Sequence, residues 1–237
     1  MNMPPPPPPS GPFPTPPSGS FPTPPPGYVP YGAGAQMGAV KPSKGLSKAM
    51  IILYGCATAA GLITTFGFFK RKGIVDDYQA GDFGVDLKGA DSLIGGGVIL
   101  QFMLVLSSAI VTCLWARRIA SNAQARGVAG LSPGLAAGGW FIPFGWYVIG
   151  FNQLRKSAAG VGGATKNLAI WQGLFIAQSL LGFYNLRGDD VYVNDSDAPS
   201  RLRNQGIVAL VGVLFYLGAT LFASKAAKDI DGAVTGG

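Results

Sequence analysis

Four stretches of the chain, residues 50–69, 92–115, 167–186 and 204–223, are long, apolar and free of any charged side chain. Each is bounded within a few residues by Lys, Arg or Asp. A helix needs ~20 residues to cross a hydrocarbon core of ~30 Å. Amphipathic helices of soluble domains keep a polar face, which these four lack. The pattern predicts an all-α integral membrane protein with four transmembrane helices.

A fifth stretch, residues 134–151, is long enough to span but carries Pro143 in its middle, which removes a helix hydrogen bond. It also crowds together Trp140, Phe141, Phe144, Trp146, Tyr147 and Phe151, rings that favour the headgroup level. Charge counting bears on its path. With the N-terminus inside and residues 116–166 kept inside, the cytoplasmic segments hold eleven basic residues against Asp229 and Asp231. The outside loops, 70–91 and 187–203, hold seven basic residues and nine aspartates. A crossing by 134–151 divides the basic residues nine and nine, and the orientation signal vanishes. The expectation is therefore a re-entrant or interfacial Pro/Trp-rich helix on the cytoplasmic side, with a fifth span as the alternative. Lys70, Arg71 and Lys72, placed outside, run against this orientation.

Sixteen of the 19 prolines fall in residues 1–47, where 10–17 and 18–25 form a short repeat. Proline fixes φ and removes backbone donors, so this segment favours extended polyproline II and cannot bury enough surface to fold alone. The organisation expected is a disordered proline-rich cytoplasmic arm (1–47), a multi-pass membrane domain (48–224) and a short polar tail (225–237). Six prolines directly after Met1-Asn2-Met3 leave no basic-then-apolar leader, so the first span is expected to act as an uncleaved anchor.

The net charge of +7 resides in the loops, where basic side chains meet anionic headgroups, so a lipid bilayer accounts for it without nucleic acid. Cys56 and Cys113 lie inside apolar spans and read as packing residues. The chain has no histidine, and all eleven carboxylates are aspartates outside the spans. This excludes Ser-His-Asp and Cys-His arrangements, His-containing zinc sites and a Glu general base. No catalytic residue, cofactor or metal site is expected. Asp189, Asp190, Asp195 and Asp197 lack the spacing and closing Glu of a calcium loop. Gln101, Gln172 and Gln178, inside spans, read as interhelical glue or as the lining of a substrate route.

One region stands apart. Trp115, Arg118 and Asn122 follow the second span, then Ser132-Pro133-Gly134, then Trp140-Phe141-Ile142-Pro143. Ser132 before Pro133 is a helix start, with the serine as N-cap and the proline at the first helical position. Arg117, Arg118 and Arg126 extend the second helix as a basic stalk. The combination R-x-x-x-N, S-P-G and W-F-I-P between spans resembles the bacterial membrane family catalogued as domain of unknown function 4328, over about residues 48–223. The resemblance marks Trp115, Arg118, Asn122, Ser132, Pro133, Gly134, Trp140, Phe141 and Pro143, and assigns no activity to them. Departures occur at Gly145-Trp146, where the family often has Asn, and near Gln153, where it has an acidic residue.

Two functions follow as expectations. The first is a non-enzymatic scaffold in the cell membrane whose cytoplasmic arm recruits a protein partner through its prolines and Phe13, Phe21, Tyr28 and Tyr31, since aromatic-lined grooves bind such segments. The arm could equally be a spacer without a partner. The alternative is a small transporter or permease subunit built around the broken Pro143 segment.

Overall fold

The computed structural model describes residues 40–140, 142, 146–186 and 195–235. The arm up to residue 39, Phe141, Pro143, Asp189 and Asp190 lie outside them. Every regular element among the described residues is helical: α1 (Lys44–Gln79), α2 (Lys88–Ala125), α3 (Pro133–Gly138), a π-helical turn (Trp146–Gly150), α4 (Phe151–Gly160), α5 (Lys166–Leu186) and α6 (Ala198–Thr235).

Three of these, α1, α2 and α6, are long and apolar enough to cross a membrane. At 36 to 38 residues each they extend ~54–57 Å, well beyond the ~30 Å of hydrocarbon. The apolar windows of all four expected spans are helical, but the helices run past them. Lys70, Arg71 and Lys72 continue α1, and residues 225–235, expected as a polar tail, continue α6. The reason lies in the spacing of Ala223, Ala226, Ala227, Ile230 and Val234, which keeps one buried apolar stripe on α6 beyond the expected end.

The chain runs down α1, back along α2, down α5 and back along α6, so that residues 43, 126, 161 and 235 share one end of the helix set, here the proximal end. The turn at 80–87 and the start of α6 share the distal end, where Gln79 Nε2 donates to the Asp195 carbonyl at 2.9 Å. Packing is sequential around an arc: α2 on α1, α1 on α6, α6 on α5. Among the described residues no substantial packing joins α2 to α5, the two ends of the arc.

At the proximal end the gap between α2 and α5 is filled by α3, the π-helical turn and α4. Leu131 precedes α3 and its carbonyl accepts from Gln124 Nε2 on α2 at 2.7 Å. Val161 follows α4 and its carbonyl accepts from Arg126 at 2.9 Å. The insert thus leaves and returns at the same end. Its start follows the expected chemistry, with Ser132 Oγ accepting from Leu135 N at 3.2 Å and Pro133 at the first helical position. Between its ends it carries Trp140 and Phe151 against Trp171 of α5, with ring centroids 6.2 and 5.0 Å away, and Tyr54 of α1 closes on Trp171 from the far side at 6.1 Å. Gly150 makes this layer possible, because a Cβ there would sit 2.9 Å from the Trp140 ring.

Outside this core the helices present large apolar side chains outward, including Phe66, Ile99, Phe102 and Leu214, each more than half exposed. Contiguous apolar exposure on this scale marks a face built for lipid.

Candidate functional site

Trp115, Arg118 and Asn122 recur at three- and four-residue intervals and so share one face of α2. Asn122 and Arg118 reach residues 41 and 42, just before α1, and Trp115 reaches Asp231 of α6. Asn122, nearly fully buried, holds both backbone groups of Lys41. Its Oδ1 accepts from Lys41 N at 3.0 Å, and its Nδ2 donates to the Lys41 carbonyl at 2.9 Å. One turn back, Arg118 donates to the Pro42 carbonyl at 3.3 Å. Pro42 has no donor of its own, so the carbonyl is its only backbone handle.

The next contacts run through Asp231, near the end of α6 and only 7% exposed. Ser43 and Ser47 both donate their hydroxyls to its carboxylate, and Trp115 Nε1 approaches Oδ1 at 3.4 Å. Ser43 occupies the N-cap position of α1 but makes no capping bond with its side chain. The hydroxyl is committed to Asp231 instead. Three donors around one carboxylate offset the cost of burying it, which an isolated charge could not sustain.

Arg126 closes the same end. Its guanidinium donates to the carbonyls of Val161, Ala233 and Val234 at 2.9, 3.1 and 2.9 Å. It therefore satisfies carbonyls that the last turn of α6 leaves without intrahelical partners, and joins them to the turn after α4. Beside Asp231 lies a cavity of about 270 Å³ bounded by Ser47, Ile51 and Thr235 and rimmed by Lys44, Lys48 and Lys228. No ion pair engages these three lysines among the described residues.

The other marked positions are placed differently. Ser132, Pro133 and Gly134 start α3, while Trp140 belongs to the aromatic layer. Gln153, where the resembled family has an acid, leaves its buried Oε1 without a hydrogen bond. Distal to the aromatic layer, Gln101 and Gln178 line a second cavity of about 370 Å³ between α2 and α5; Gln172 does not. Asp195 and Asp197 both pair with Arg201, at 2.5 and 3.3 Å, and no metal-ligating cluster occurs among the described residues. Cys56 and Cys113 are free thiols.

Sequence reasoning missed Asp231, Ser43 and Ser47, and read Arg126 only as part of a basic stalk. The available signal was the stripe of Ala226, Ala227, Ile230 and Val234, which places Asp231 next to a buried face of a continuing helix. Neither the family models, the curated proteins nor the solved structures contain a match to this chain.

Proposed function

We propose that this protein is a non-enzymatic multi-pass scaffold of the bacterial cell membrane, which holds the base of its proline-rich arm at a fixed exit on the cytoplasmic face and presents the arm to a protein partner. The observation that carries this reading is the clamp on residues 41–47 by Asn122, Arg118 and Asp231. A passive spacer needs no defined point of departure. Membership of the resembled family of unknown function is part of the proposal and rests on the same residues, Trp115, Arg118 and Asn122, together with the S-P-G and W-F-I-P elements.

In this reading α1, α2, α5 and α6 cross the bilayer, the N-terminus is cytoplasmic, and the insert from α3 to α4 is re-entrant. Support comes from both ends of the insert meeting Gln124 and Arg126 at the proximal end, and from Lys44, Lys48 and Lys228 at the level where anionic headgroups reside. With Cys56 and Cys113 replaced by Ala, single cysteines at the exposed positions Ala80, Ala159 and Thr235 test the topology. An impermeant thiol reagent applied to intact cells should label position 80 alone. Labelling at 159 and 235 means five spans, and the cytoplasmic platform is then divided.

Recruitment is tested by crosslinking in intact cells. A partner captured by the full chain and lost on deleting residues 1–30 supports the scaffold; identical capture by both refutes it. The transporter reading draws on one observation, the amide-lined cavity between α2 and α5. Against it stands the absence of charged side chains along that cavity among the described residues.

A further inference from the structure

The distal cavity differs from an ordinary packing defect in what lines it. Its floor is α1 and α6, with Thr64 and Phe68 from the former, and its walls are α2 and α5, which contribute Gln101, Phe102 and Gln178. All of these lie within the apolar windows of their helices. Gln101 is nine residues beyond Ser92, which places it ~14 Å along α2 from the polar boundary, inside the hydrocarbon layer. Interhelical hydrogen bonds are the usual role of such a glutamine. Gln101 and Gln178 make none among the described residues, and both side chains are only partly buried. Thr64 is engaged, donating to the Ala60 carbonyl at 3.3 Å.

Two amides without protein partners, lining one cavity in a layer without water, are costly unless something in the cavity hydrogen-bonds them. The helix packing also keeps the cavity from closing. Gly97 lies against Thr64, where a Cβ would come within 2.4 Å of its hydroxyl oxygen, and Gly61 lies against Val213 at 2.8 Å. These contacts draw α2 and α6 onto α1 and leave α2 and α5 apart. No Lys, Arg or Asp lines the cavity, so a phosphate or carboxylate has no counter-ion there.

We infer that the cleft between α2 and α5 is a binding site for an uncharged, carbonyl-bearing membrane lipid, which enters sideways from the bilayer and accepts hydrogen bonds from Gln101 and Gln178 while its chain lies along Phe68 and Phe102. The inference is independent of recruitment by the arm and rests on α5 lying in the membrane beside α2.

The full chain in phosphatidylcholine nanodiscs, labelled with a diacylglycerol that carries a diazirine in one acyl chain, provides the test. Saturable labelling is expected, mapping to the faces of α2 and α5 that bear Gln101 and Gln178. Unlabelled diacylglycerol or an isoprenoid quinone should compete, and which of them does so distinguishes an ester carbonyl from a quinone carbonyl as the natural group. Phosphatidic acid should not compete. The Gln101→Leu/Gln178→Leu variant should weaken binding about tenfold, the loss of two intramembrane hydrogen bonds. Ala209→Phe, which fills the floor from α6, should abolish the labelling, with the thermal transition of each variant recorded to confirm folding. Non-saturable labelling, competition by neither neutral lipid, equal competition by phosphatidic acid, or unchanged affinity in the folded double-leucine variant would each overturn the inference.

Discussion

The proximal and distal halves of the helix set are made from the same helices and solve opposite problems. At the proximal end the polar groups around residues 41–47 have protein partners, Asn122 on Lys41, Arg126 on three carbonyls, Asp231 on two hydroxyls and an indole, while Trp140 Nε1, Trp171 Nε1 and Gln153 Oε1 in the neighbouring aromatic layer and α4 have none. Trp115, Phe151, Trp171 and Leu168, among the largest fully buried side chains, are concentrated there. At the distal end the buried cluster shrinks to Val75, Ala198 and Leu202 with two partly buried neighbours, and Gln101 and Gln178 face a gap. Burial of Asn122, Arg126 and Asp231 is supported by the chain itself. The amides of Gln101 and Gln178, on the inference drawn above, are left to whatever occupies the cleft.

The strongest way to break this contrast is Asp231→Ala, which strands the donors of Ser43, Ser47 and Trp115. Loss of about 3 kcal/mol is expected, read as a lowered thermal unfolding transition of the purified protein in detergent. A transition at the wild-type temperature would mean that the proximal end is not held through this carboxylate. Asn122→Ala is the next in size, at about 1.5 kcal/mol for two hydrogen bonds to the backbone of Lys41. It should also raise amide hydrogen exchange at residues 41–43 while leaving α5 protected, and a uniform rise across both would show that Asn122 does more than hold the arm root. Gln101→Leu should be the smallest, within about 0.5 kcal/mol in lipid-free detergent, because no protein hydrogen bond is lost. A drop comparable to that of Asn122→Ala would erase the difference between the two halves.

How far the sequence foretold this depends on the kind of signal. The membrane-crossing character of α1, α2 and α6 was legible because an uncharged run of ~20 residues is a local property. The start of α3 was legible for the same reason, since Ser132 and Pro133 act on their own backbone. Trp115, Arg118 and Asn122 were marked without a role, and only the fold brings Arg118 and Asn122 to residues 41 and 42 and Trp115 to Asp231. Asp231 was counted among the cytoplasmic charges, because nothing in its neighbourhood announces partners nearly two hundred positions earlier. The open gap between α2 and α5 was not legible at all. It depends on which helices fail to touch, and Gly61 and Gly97 reveal their partners only in three dimensions.

The bonds between Ser43, Ser47 and Asp231 close a loop of more than 180 residues in sequence. A chain emerging from the ribosome makes Ser43 long before Asp231, and contacts so remote form late. Until α6 has been inserted, the segment below the arm has Asn122 and Arg118 to rest on but no carboxylate to lock it. In the proposed reading, the arm acquires its fixed point of departure only when α6 is in place, so that incomplete or misinserted chains would carry an arm without a mount. On that reading, the carboxylate that completes the junction is also a record that assembly has finished.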